Sequence, residues 1–430
     1  EAFFFTILNI FDQLFNNVKQ KQESMKKEVV VWSLVFAVLA GMAGCHSRKE
    51  PVRIIDRKYR EAIRESRKEA IFYLARNFMP GSSVAVSVKG KTVWSEGFGL
   101  ASTDLDVPAT RQTKYRIGAT SQVLTSLAYY RMVEQGKLSP HDTVQKYLPD
   151  FPKKKYPLTL QHLVEHTSGI RTLTEEEANW RGLNVTLQKG IESFSNDTLL
   201  FPPGMYHYPS EFNYNLLGVI LQEAEGESFS KVIRKWVTDT LKLENTVPDH
   251  PLITIKGRAD FYDHDIITQT IHATTRDLRH RLPADGFLST ADDLLKLGNA
   301  FLYPGIISDS LRKQIWTAPT ISGQPSMGGM RWANGWLLFE DQEGNPFYAA
   351  HGSLTGGSSL LLIFPKEELV LAWVANIGDE MDELPGMKVA QFFRNFLAGK
   401  EIIPKQEQEP TDQPEEEPHA AAETGNDAKK

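Results

Sequence analysis

Apolar residues recur along this chain with two different periods, and the change of period divides it into regions. Tyr59, Ile63, Ile71, Phe72 and Leu74 fall at roughly helical spacing among Arg, Lys and Glu, which predicts an amphipathic first helix with a basic, solvated face. Ser83 to Val88 alternates small polar with apolar residues, and Thr92-Val93-Trp94-Ser95 is a second strand-forming run. Between them Lys89-Gly90-Lys91 supplies a hairpin signal. The strand pattern returns at Pro346 to Ala350, Ser358 to Pro365 and Leu369 to Asn376. In between, helical patterns run from Val123 to Gln135, ended by Gly136, and from Tyr214 to Glu225, ended by Gly226. The expected architecture is α/β: an antiparallel sheet built from N- and C-terminal segments and flanked by helices, with a helix-rich insert from about Ile117 to Ala300 forming an all-helical lobe.

The two ends of the chain read differently. Met25-Lys26-Lys27 is a short basic start, Val29 to Met42 is almost unbroken apolar sequence, and Met42-Ala43-Gly44-Cys45 closes it with small residues before a cysteine. The run falls short of the ~20 residues needed to span a bilayer. It resembles the lipobox of exported bacterial lipoproteins, with Met42 where Leu is usual, and implies lipidation at Cys45. The expected division is an upstream or non-native segment at 1–24, a lipoprotein signal peptide at 25–45, a tether at 46–57, one domain at 58–400, and an acidic disordered tail at 401–430. The expected location is the bacterial cell envelope, periplasmic or outer-membrane associated. Cys45 is the only cysteine, so no internal disulfide framework or Cys-rich metal site exists. A formal charge of -6 gives no whole-chain basic footprint and disfavours a nucleic-acid partner.

Six stretches in the middle carry a pattern in fixed order: Tyr115-Arg116-Ile117-Gly118, Leu158 to Gly169, Phe201-Pro202-Pro203-Gly204, Tyr214-Asn215-Leu216-Leu217-Gly218, Asp285-Gly286-Phe287-Leu288-Ser289-Thr290, and His351 to Gly357. The chain from about Ser82 to Leu397 thereby resembles the penicillin-recognising serine hydrolases, the class C β-lactamases and DD-peptidases. That resemblance implies the β-lactamase/transpeptidase-like fold, with a cleft between sheet and helical lobe. It also implies a Ser-x-x-Lys at a helix start, where the amine helps deprotonate the hydroxyl and the helix dipole favours the oxyanion.

Here that stretch reads Ala119-Thr120-Ser121-Gln122. A methyl group cannot be acylated, and an amide is no base near neutral pH. Ser121 is the fallback nucleophile, but Leu124 stands where its Lys would be. The Tyr-x-Asn positions fall on Pro209 and Glu211 in one register or on Tyr208 and Ser210 in another, and neither supplies the Asn. His351-Gly352-Ser353 is read as the Lys-Thr-Gly strand motif, with Ser353 in the glycine position. By analogy the oxyanion amides are those of Ala119 and Leu354. The candidate ligand-binding cleft is therefore Ala119, Ser121, Tyr208, Glu211, His351, Ser353 and Leu354. His162 and His166 have i, i+4 zinc spacing, but Leu163 stands where a metalloprotease carries Glu, so neither metal nor other cofactor is expected. Asp285-Gly286 is expected as a turn beside the cleft.

The reading is a catalytically inactive, lipid-anchored envelope protein that binds a peptidoglycan-type peptide or a protein partner. The alternatives are an active serine hydrolase using Ser121, and a structural module of an envelope complex.

Overall fold

The computed structural model describes residues 53–182, 186–265, 270–321, 330–379 and 385–403. The expected upstream or non-native segment, the signal peptide with Cys45, most of the tether and nearly all of the tail lie outside them. Among the described residues no helix is long and apolar enough to cross a membrane.

The path of the main sheet uses β1 (Ile54–Ile55), β2 (Gly81–Val88), β3 (Lys91–Ser102), β4 (Arg331–Ala333), β5 (Trp336–Glu340), β6 (Pro346–Leu354), β7 (Gly357–Phe364) and β8 (Leu369–Ala375). Their order is β1-β3-β2-β8-β7-β6-β5-β4, and Val107–Pro108 pairs with β3 off this path. Every pairing is antiparallel, and β8 pairs with β2, joining the N- and C-terminal segments of the sheet. The expected hairpin closes with Lys89 and Gly90 at φ of 52° and 72°, the left-handed pair of a two-residue turn.

Strand alternation sends Leu360, Leu362, Leu371 and Trp373 to one face and Leu361, Ile363, Val370 and Ala372 to the other, into two separate apolar clusters. The first face is covered by α1 (Arg60–Arg76) and a C-terminal helix, Gly386–Leu397, with Trp94 and Phe393 stacked at 6.3 Å. The other face is covered by the insert. Because both faces are buried, β7 and β8 read as nearly continuous apolar runs.

The insert contains α2 (Ser121–Glu134), α3 (Leu160–Val164) and α4 (Glu211–Glu225), the last capped by Gly226 at φ 70°. It also carries short antiparallel ribbons, one of which joins Tyr115–Arg116 and Val247–Pro248 to Phe287–Ser289. The folded body is wider than the expected 58–400. Ile54 and Ile55 of the expected tether pair with Ser95 and Trp94, and Ile402 is buried and accepts a bond from Asn395 Nδ2.

Candidate functional site

The expected cleft falls where the start of α2 meets β6 in close backbone contact. A tight turn, Gly118–Thr120 with Gly118 at φ 50°, leads into a helix whose residues Ser121 to Tyr130 are all buried. A helix buried all round belongs in a core, so this one is fixed, and only its first turn meets the cleft. Ala119 is partly exposed there, and Thr120 is turned into the sheet, sharing a 2.9 Å hydroxyl contact with Ser359 of β7.

Ser121 is not in the cleft, which corrects its expected place as a lining residue and fallback nucleophile. Its side chain is fully buried, and its Oγ accepts the Phe287 N–H at 3.2 Å. One residue along a helix is a rotation of about 100°, so the hydroxyl that follows the Ala119 position by two cannot share its direction.

The strand side is fixed by a close approach. A Cβ on Gly352 would lie 2.0 Å from the Ile117 carbonyl oxygen and 2.6 Å from the Ala119 nitrogen. Only glycine fits there. The glycine position of the strand motif is thus Gly352, and the expected frame moves back by one residue: Ala350, His351 and Gly352 occupy it, with Ser353 following. Ala350 shares the buried face with Gly352, so a methyl group stands where the motif's cation is expected. His351 points to the opposite face, its Nε2 3.2 Å from the Asp379 carbonyl. Ser353 is exposed, and its amide lies 2.9 Å from a Cβ built on Gly118. The amide beside Ala119 is accordingly that of Ser353, where Leu354 was expected; Leu354 pairs with Gly357 at the end of the hairpin.

Gln122, at the lysine position, is buried, and its Oε1 is 3.1 Å from His166 Nε2. His166 Nδ1 receives the Ser210 backbone N–H at 3.2 Å and faces Asn213 Nδ2 at 3.0 Å. A backbone N–H can only donate, so Nδ1 is the acceptor and Nε2–H donates to Gln122. The imidazole is neutral. Burial pulls it down to about 3, and the neighbouring His207 adds to this. His207 is itself pulled down to about 4 by burial, lying edge-on to His166 and stacked on Trp332. In the sequence His166 stands out as part of the Leu158 to Gly169 stretch and by its zinc spacing to His162, while nothing in the pattern singles out Asn213 or His207. The spacing that suggested zinc does not survive, because α3 stops at Val164, His166 has φ 56°, and His162 Nδ1 instead accepts the Thr159 N–H.

Tyr208 is 37% exposed, its ring edge-on to Phe201 and its amide bonded to the His166 carbonyl. Ser210 is buried, and its hydroxyl donates to the Arg171 carbonyl at 2.6 Å. Glu211 opens α4 and accepts from Thr172 Oγ1 at 2.8 Å. Asp285 lies in a short helical turn, Leu282–Asp285, ion-paired with Arg281, and burial raises its carboxyl above the ordinary range.

Fold and cleft together define the β-lactamase and penicillin-binding-protein class of architecture. The sequence profile of the Beta-lactamase family matches residues 63–392, and the chain belongs to that family. It is 30% identical over 380 aligned residues to the serine beta-lactamase-like protein LACTB, mitochondrial, of Homo sapiens, covering 67% of this chain and 69% of the relative. It is 26% identical over 327 residues to protein flp of Staphylococcus aureus, covering 71% and 61% respectively. Among solved structures, the octameric penicillin-binding protein homologue from Pyrococcus abyssi superposes with a TM-score of 0.69 at 24% identity, covering 79% of this chain and 78% of that one. The D-amino acid amidase of Ochrobactrum anthropi SV3 superposes with a TM-score of 0.64 at 20% identity, covering 74% and 91%. Both structural likenesses speak for the fold.

Proposed function

We propose that the protein is a non-catalytic member of its family: an exported envelope lipoprotein, anchored through Cys45, whose cleft binds a peptidoglycan-type peptide or a protein partner without forming an acyl-enzyme. The observation that carries this reading is the side-chain chemistry of the cleft. Acyl transfer needs an oxygen at the helix start and a group to take its proton. Ala119 offers neither, and Gln122 is held by a neutral imidazole. Ser121, the hydroxyl on which an active hydrolase would rely, is buried.

Backbone donors need no particular side chain. The amides of Ala119 and Ser353, with the exposed Ser353 hydroxyl and the exposed Tyr208 ring, suit a carbonyl or carboxylate of an extended peptide. The test is intact-mass measurement after exposure to a penicillin and a fluorophosphonate probe. An unmodified mass is expected, and a stable adduct mapped between Tyr115 and Arg131, or to Ser353, overturns the reading. A stem peptide should raise thermal stability, by about 2.7 kcal/mol at a hundred times its dissociation constant, and less so in Tyr208→Ala.

A further inference from the structure

We propose that the outward face of α1 is a docking surface for an anionic lipid bilayer. This stands apart from the cleft and does not depend on the missing nucleophile.

One side of α1 is spent on the core, with Ala62, Ile63, Ser66, Ala70, Tyr73 and Leu74 all buried. The opposite side carries Arg60, Arg64 and Lys68, with Glu61 3.9 Å from Arg64 among them, and then, toward its C-terminal end, Ile71 and Phe72. These two adjacent apolar side chains are 56% and 59% exposed, and Phe78 just beyond the helix is 59% exposed as well. Isolated exposed apolar residues are ordinary, but an adjacent pair at one end of a helix face rich in basic residues suits a helix that lies in a membrane interface. A groove of about 430 Å³ lies beside it, floored by Ile55, Ile63 and Ile71 and rimmed by Arg64, Arg67 and Lys68. Glu65 holds the Arg64 and Lys68 head groups side by side at 2.7 Å and 2.9 Å.

The charge supports one occupant. Residues 53–76 contain eight Lys and Arg against four Asp and Glu, in a chain whose formal net charge is -6. The local excess of positive charge is complementary to acidic phospholipid headgroups, which attract each basic residue near the surface, while Ile71, Phe72 and Phe78 suit the boundary with the acyl chains. Cys45 stands eight residues before Arg53, so a lipid there would tether Arg53 within about 30 Å of the bilayer.

The test uses the full chain reconstituted on vesicles of phosphatidylcholine alone and of phosphatidylcholine with phosphatidylglycerol, with oxidative footprinting read by mass spectrometry. Labelling of Ile71, Phe72 and Phe78 is expected to fall several-fold on the anionic vesicles only. High salt or the double change Arg60→Glu and Arg64→Glu should restore it, and circular dichroism checks that the variant is folded. Equal labelling on both vesicles, or protection that grows with protein concentration in the absence of vesicles and so reports a second copy, overturns the proposal.

Discussion

Three imidazoles in this protein, His166, His207 and His280, are kept from protonation chiefly by burial, pulled down to about 3, 4 and 4. The unfolded chain takes up a proton on each near the ordinary 6.5, and the folded chain does so only at these lower values. Stability is therefore complete above about pH 6.5 and lost as pH falls toward 4 and 3, at about 1.4 kcal/mol per pH unit for each such histidine. His207→Phe keeps a ring against Trp332 and should reduce the slope of stability against pH, measured by urea unfolding, by one proton. An unchanged slope would show that His207 is protonated in the native state. The same neutrality explains why restoring the missing motif should fail. In a variant carrying both Ala119→Ser and Gln122→Lys, the new ammonium meets the His166 Nε2–H, a donor, and finds no acceptor there. The expected result is no acyl adduct by intact mass and a stability loss of about 2–4 kcal/mol in urea unfolding.

Strand β6 and the start of α2 meet so closely that their separation is set by a missing side chain. Gly352→Ala would press a methyl group on backbone atoms of Ile117 and Ala119, which cannot move aside as a side-chain tip can. A loss of about 3 kcal/mol or more is expected in urea unfolding, at the upper end of overpacking costs. Much of this level was readable in advance: the periods of α1, α2 and α4, the Lys89-Gly90 turn and the apolar runs of β7 and β8 correspond to observed elements. The frame of β6 was not, because His351 suggests one register by letter, which leaves Ser353 in the glycine position, whereas packing puts Gly352 there, and only the facing backbone distinguishes the two.

Across the molecule, one buried cation ties distant segments together. The Arg116 guanidinium donates to Asp249 Oδ2 at 2.8 Å and to the Thr355 carbonyl at 2.9 Å, and lies 3.9 Å over the Phe261 ring. Both members of the ion pair are 2% exposed or less. Asp249→Ala leaves that charge without its carboxylate and should cost about 3–5 kcal/mol, read from the urea midpoint. A loss within the range of an exposed pair, up to about 1 kcal/mol, would mean that the Thr355 carbonyl and the Phe261 ring suffice.

The covalent order of residues decided, before any fold was known, that no acylable hydroxyl stands at position 119 and no amine at 122, since chemical identity belongs to each residue by itself. It also decided the helices α1, α2 and α4 and the strands β2, β3, β6, β7 and β8, because those periods are local. Which hydroxyl faces the cleft, which glycine marks the strand frame, and that His166 rather than Tyr208 accompanies Gln122 were decided only when distant segments closed on one another. Directions and desolvation depend on neighbours that the linear chain does not specify.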